Sequence, residues 1–348
     1  MTPTSGDDAV AVTRIGELDD HPAGLSWSHD DTLLAVGCLD GTVSVFDGTE
    51  PLPAPPAHPM GVADVGWHPQ LPLLATGGLD GVVRVWDAER AQVLGEASAK
   101  GWCAQVSWSP TGREVAAAVG KTVVRLDIVG AERWRHDDHD ATVACVAWTP
   151  DGRSLAAGMN GGIRWYQDGI EAWKTFDYAG ALLALAVAPS GRWIASGNHD
   201  NSVHCWRLWT AEELSMSGYE QKILHLAWSR DSRFLAVGNP GEVTVWDFSG
   251  KGPRGSKPDQ FTGHVRRIVA LAYQPGSNLL MSAGAEGRLC LWDSKAKRRL
   301  VSTTQFDAEI ATATWNHAGD RVAVALADGT VAVAELPSAW HPGARGRR

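Results

Sequence analysis

A histidine, a hydroxyl and a carboxylate recur together in this chain, as His58, Thr76 and Asp80 and again as His264, Ser282 and Glu286. Those types make up the base, nucleophile and orienting acid of hydrolytic sites, where geometry rather than composition decides. The companion motifs are missing: the sequence has no G-x-S-x-G elbow and no H-E-x-x-H. The stretch SGKGPRGSK (249–257) has the residue types of a phosphate loop without their order. A second group has metal-ligand types. His136 and His139 sit among Asp137, Asp138 and Asp140, and His225 follows His199, His204 and Cys205. Zinc needs three or four ligands converging within about 2.3 Å. His204 and Cys205 are neighbours in an alternating segment and so face opposite sides. His136, His139 and His225 stay as zinc candidates beside the plainer reading of solvated or core histidines.

The elements that would position these residues must be deduced from the whole chain. It has 348 residues, 44% hydrophobic and 20% charged, enough to bury a sizeable core. The net charge of -9 argues against a broad nucleic-acid grip, which needs a basic field. The opening MTPTSGDDAV has no basic segment followed by an apolar one, and no long apolar run suggests a membrane span. The five cysteines lack paired spacing and sit in apolar stretches, which suggests buried thiols in a reducing, cytoplasmic setting. Arginine outnumbers lysine 23 to 8, which we associate with a GC-rich bacterial genome. Tryptophan (17) and glycine (38) are abundant, as many short strands and tight turns require.

Internal repetition supplies the strands. An alternating segment ends at Trp27, Trp67, Trp108, Trp148, Val187, Trp228, Tyr273 and Trp315, at spacings of 40, 41, 40, 39, 41, 45 and 42. Each is followed by a polar turn, an apolar strand such as LLATG (73–77), a Gly/Asp turn, and a third alternating strand such as VVRVWD (82–87). Asp-Gly pairs supply the positive φ of tight hairpins. We label the three strands a, b and c, and the link to the next unit strand d. A period near 40 residues is that of a stacked array or propeller.

The pattern His58…Trp67…LLATGG…Asp80-Gly81…VWD (85–87), repeated as His264…Tyr273…LLMSAG…Glu286-Gly287…LWD (291–293), resembles the WD40 repeat. The resemblance covers about residues 10–336. It implies an all-β fold, and the eight copies predict a single closed eight-bladed WD40-like β-propeller of the bacterial type over residues 9–336. A short flexible tail is expected over 337–348. The last unit lacks its own outer strand, and the alternating segment 9–15 is expected to supply it. The resemblance also implies structural tetrads that link a loop His, a strand-b hydroxyl, a hairpin acid and a strand-c Trp: His58, Thr76, Asp80 and Trp86, then His264, Ser282, Glu286 and Trp292. Unit five keeps Ser196, Asp200 and Trp206 but has Tyr178 at the His position.

A non-enzymatic interaction scaffold, monomeric in isolation and binding protein partners, is the leading function that the resemblance implies. No cofactor, membrane or nucleic acid is expected. The alternative is a zinc-linked accessory protein, and the third reading is a hydrolase at the channel mouth. Residues before strand a should ring that mouth, which makes Met60, Trp102, Lys222, Arg266 and Arg267 partner-binding candidates, with Tyr178 and Tyr219 at the tetrad-His position. The proline-rich connector PLPAPP (51–56) and the basic loop at 249–258 are the remaining departures from the repeat.

Overall fold

The computed structural model describes residues 10–48, 51–52, 58–167, 170–210, 212–250, 252–296 and 299–343. Most of the proline-rich connector and the last five residues lie outside the described residues. Unit two shows how sequence becomes strand. Val62–Trp67, Leu73–Gly78, Val82–Asp87 and Gln92–Ser98 form an antiparallel four-stranded sheet. Its b–c hairpin turns at Gly81, with φ at +77°, and a Cβ there would meet the Gly101 carbonyl at 2.4 Å. Only glycine fits such a position. Asp80 Oδ1 accepts the Val82 amide at 3.1 Å and holds the same turn. The a–b turns close on side chains as well. Ser28, Thr149 and Ser229 each take the amide five residues ahead, at Leu33, Ser154 and Phe234.

Strand b is buried and mostly apolar because it is covered on both faces, its tetrad hydroxyls aside. Apolar clusters lie between consecutive units: Ala35, Val43 and Val45 of unit one pack with Val65, Trp67, Leu74 and Trp86 of unit two. The other seams repeat this arrangement, including Ala156, Ile163 and Trp165 of unit four against Leu182, Ile194 and Trp206 of unit five. The strands therefore form the closed ring of a β-propeller, with strands a innermost.

Eight blades were expected, and the described residues form seven, six sheets of four strands and one of six. Units four and five are joined. Ser154–Gln167 runs through both b and c of unit four, and Ile170–Val187 runs through d of unit four and a of unit five. The b–c turn of unit four is one residue short. Its residues Asn160 and Gly161 stay paired, with Ala181 and Tyr178, so pairing continues between the units across a register shift.

The ends of the chain meet. Ala11–Glu17 pairs antiparallel with Thr330–Glu335, from Ala11 opposite Glu335 to Glu17 opposite Thr330. Ile15 and Leu18 join a cluster with Trp27, Leu34 and Phe46 of unit one and Val331 and Val333 of unit eight. A polar clasp lies beside this seam. The Asp31 carboxylate accepts the amides of His317 at 2.7 Å and Ala318 at 2.8 Å, and Asn316 Nδ2 at 3.0 Å. The tail is also held further than expected. Ser338–Trp340 forms a 3-10 turn, Trp340 packs on the last seam, and Gln274 Nε2 donates to its carbonyl at 3.0 Å.

Candidate interaction face and the polar networks behind it

The tetrad residues converge in units two and seven. His264 Nδ1 donates to Glu286 Oε1 at 2.6 Å, and its Nε2 accepts from Ser282 Oγ at 2.7 Å. The same hydroxyl accepts Trp292 Nε1–H at 2.8 Å. In unit two, His58 lies 2.9 Å from both Asp80 Oδ1 and Thr76 Oγ1, and Trp86 Nε1 donates to Thr76 Oγ1 at 2.8 Å. Burial holds both histidines below their usual pKa, outweighing the adjoining carboxylates. Thr76 and Ser282 have no exposed surface and are capped by the tryptophans. A hydroxyl that no substrate can reach is not a nucleophile, so these sets tie strands together.

Other units solve the same problem differently. In unit six, Tyr219 is 9% exposed, and its hydroxyl accepts Trp246 Nε1–H at 2.8 Å beside Thr244. In unit five, Tyr178 bonds Asp200 and Ser202, while Ser196 bonds Asn198 at 2.9 Å. Ser196 donates to Asn198 Oδ1, the role that in units two and seven is filled by donation to the tetrad histidine. Tyr178 and Tyr219 therefore both take part in internal networks. In unit four, Tyr166 stands where the tryptophan would be and bonds His139 Nε2 directly at 2.5 Å.

The metal candidates do not converge. His139 Nδ1 donates to the Lys121 carbonyl at 2.8 Å, so both ring nitrogens are engaged. His136 rests edge-on against His139 with ring centroids 4.5 Å apart. His225 immediately precedes strand a of unit six, Leu226–Trp228, and there burial and the charge of Arg267 push its pKa down to about 4. Among the described residues, no group of three His, Cys, Asp or Glu side chains has the arrangement of a metal site. The cysteines are all buried and unpaired.

The rim presents a mixed surface. Met60 is 67% exposed, Trp102 54% and Val265 73%. Lys222 is exposed. Arg266 and Arg267 share Glu309, at 3.0 and 3.5 Å, so the basic rim read from sequence is partly neutralised. Val265 was missed because an isolated valine in a loop carries no pattern. Strand a also holds a polar contact that the repeat does not announce. The Asp64 carboxylate accepts the Val65 amide and, across the seam, the Val106 amide, both at 2.9 Å. Gln105 repeats the reach one unit on, to Val146 at 2.9 Å. The visible signal was a polar residue inside an otherwise apolar strand.

Comparison with known proteins follows the repeats. The model of the family described as "WD domain, G-beta repeat" matches residues 13–47, 50–87, 131–167, 174–207, 212–247 and 255–293, which is more than half of the chain. WD repeat-containing protein slp1 of Schizosaccharomyces pombe is 22% identical over 297 residues, covering 82% of this chain and 52% of slp1. Periodic tryptophan protein 2 homolog of Caenorhabditis elegans is 23% identical over 121 residues, covering 34% of this chain and 13% of that protein. This chain thus spans about half or less of these curated relatives. Among solved structures, Sqt1 from Chaetomium thermophilum has a TM-score of 0.80 at 18% identity, covering 94% of this chain and 100% of that one. At that identity the likeness speaks to the fold alone.

Proposed function

The chain belongs to the WD domain, G-beta repeat family, and from that premise we propose that it is a non-enzymatic scaffold that binds protein partners on the loop face around its central channel. Relatives named as an anaphase-promoting complex subunit in Dictyostelium discoideum and a ribosome biogenesis protein in Scheffersomyces stipitis are in keeping with this reading. The observation that carries it is the exposure of Trp102, at 54%, with Met60 and Val265 on the same rim. Trp102 closes no tetrad, and tryptophan is a residue type enriched where partners bind tightly. The two arginines that share Glu309 have a lesser part, because a paired rim charge contributes little. The test is the triple substitution Met60→Ser, Trp102→Ala, Val265→Ser. It should abolish capture of the partners that the wild type retains. A folded triple variant with unchanged affinity for them would sink the assignment.

We extend the reading to the architecture and setting. We propose that residues 9–336 act as one domain of eight angular units, the six-stranded sheet counting as two. The apolar seam within that sheet supports the count, since it resembles the seams between separate sheets. We further propose a monomer in isolation, a reducing cytoplasmic setting in keeping with five unpaired buried thiols, and no membrane or nucleic-acid partner. Light scattering of the purified chain checks the first of these, and a mass above one chain overturns it. The three-His zinc reading gains no support from the geometry of His136, His139 and His225.

A further inference from the structure

We propose that the face opposite the rim carries a second docking surface, fitted to an acidic peptide segment with one bulky apolar anchor. The a–b turns of units three, four and five each end in an exposed arginine: Arg113, Arg153 and Arg192. None of the three makes an ion pair with another described residue. The matching arginine of unit six, Arg233, is committed to Asp247 at 2.7 Å, and unit eight has Asp320 at that position. Three guanidinium groups outside ion pairs on adjacent turns, with the Asp151 carboxylate near Arg153 and lining both adjoining clefts, are a local exception in a chain of net charge -9.

Two clefts open beside them. The larger, of about 490 Å³, lies between units four and five, where Trp165, Phe176 and Trp209 give it apolar walls. The smaller, of about 250 Å³, lies between units three and four and includes Arg113. Arg153 lines both and joins them. Trp209 is 74% exposed, on the c–d turn of unit five. Antiparallel strand order puts a–b and c–d turns on one face and the rim loops on the other, so this surface shares no residue with the rim.

Charge complementarity chooses the occupant. Guanidinium groups pair with carboxylates through two parallel hydrogen bonds. Trp209 and the cleft it borders offer a large apolar side chain a place out of water, and Trp with Arg is the composition of binding hot spots. A nucleic acid would carry its phosphates past the three arginines into the acidic field of the rest of the molecule, whereas a short acidic segment ends within their reach. A basic segment would face the arginines directly.

The experiment uses the full chain and a fluorescein-labelled peptide with a central tryptophan flanked by aspartates and glutamates. Fluorescence anisotropy should show saturable binding that weakens with salt. Affinity should fall at least tenfold in the triple variant Arg113→Gln, Arg153→Gln, Arg192→Gln, and at least tenfold in Trp209→Ala. It should be unchanged in Trp102→Ala. All these positions are exposed, so folding is not at stake. No binding at millimolar peptide, full affinity in either cleft variant, or loss in Trp102→Ala would overturn the proposal. So would tighter binding of a lysine-flanked peptide or of single-stranded DNA. Such a failure leaves the rim reading standing, because that reading is tested through other residues.

Discussion

Thr76 Oγ1 is a single atom that serves two buried side chains, His58 and Trp86. Thr76→Val keeps the shape and removes both bonds, which leaves two buried nitrogens unpaired. Each such loss costs about 1–3 kcal/mol. The urea midpoint should fall sharply for Thr76→Val and much less for Thr76→Ser. Equal midpoints would show that the hydroxyl is no joint. These partners were legible because they repeat at fixed offsets. Unit five was not, since spacing does not tell that without a histidine Ser196 donates to Asn198 and Tyr178 turns to Asp200 and Ser202. Histidine also sets a pH dependence. Burial lowers His58, His139, His225 and His264 in the folded state. The unfolded chain therefore binds more protons in mild acid. The stability is complete above the ordinary histidine value near 6.5 and is lost as pH falls through it. For His225 the loss continues to about 4. A full shift of that size is worth ~3 kcal/mol, but the residue is only partly buried, so roughly 1–2 kcal/mol is expected. In His225→Gln the difference in melting temperature between pH 8 and pH 5 should shrink. An unchanged difference would remove His225 as a contributor.

Strands were legible wherever alternation and a glycine turn coincided, and the reading failed where a turn was too short to break a ladder. Asn160 and Gly161 continue pairing into Tyr178 and Ala181, and two expected sheets become one. That outcome depends on backbone geometry at one turn, which residue types alone do not convey. The tail failed for a related reason: Trp340 looks like a stray aromatic in sequence, yet it packs on the last seam and fixes the chain up to that point. The N-terminal strand has the opposite balance. Ala11–Glu17 exposes most of its side chains, yet it supplies the outer ladder of the last sheet and seats Ile15 in a core cluster. Removing it opens the edge at Thr330–Glu335 and uncovers apolar surface. Deletion of residues 1–17 should lower the melting temperature strongly or prevent soluble expression. A deletion variant that melts with the full chain would show the strand to be dispensable.

A ring is only as stable as its closing seam. The other seams join segments adjacent in sequence, while the closing one joins residues about 285 positions apart, as Asp31 and Asn316 illustrate. Closing so long a loop costs chain entropy that local contacts never repay. The seam is correspondingly well furnished. It has a strand ladder, an apolar cluster, and a buried carboxylate that takes two amides and a side-chain amide from the opposite turn. Asp31 also holds φ at +61°, which asparagine tolerates and alanine resists. Charged hydrogen bonds of this kind are worth about 1.5–3 kcal/mol each when a partner is removed. Asp31→Ala should therefore lower the urea midpoint clearly and speed hydrogen exchange at the His317 and Ala318 amides. Asp31→Asn should fall between, since it keeps an acceptor and the backbone geometry but loses the charge. Asp30→Ala, whose carboxylate serves only Ser28 and Thr32 in its own turn, should cost much less. If Asp31→Ala and Asp30→Ala prove equal, and exchange at residues 317 and 318 is unmoved, then strand pairing and apolar packing close the ring without the clasp.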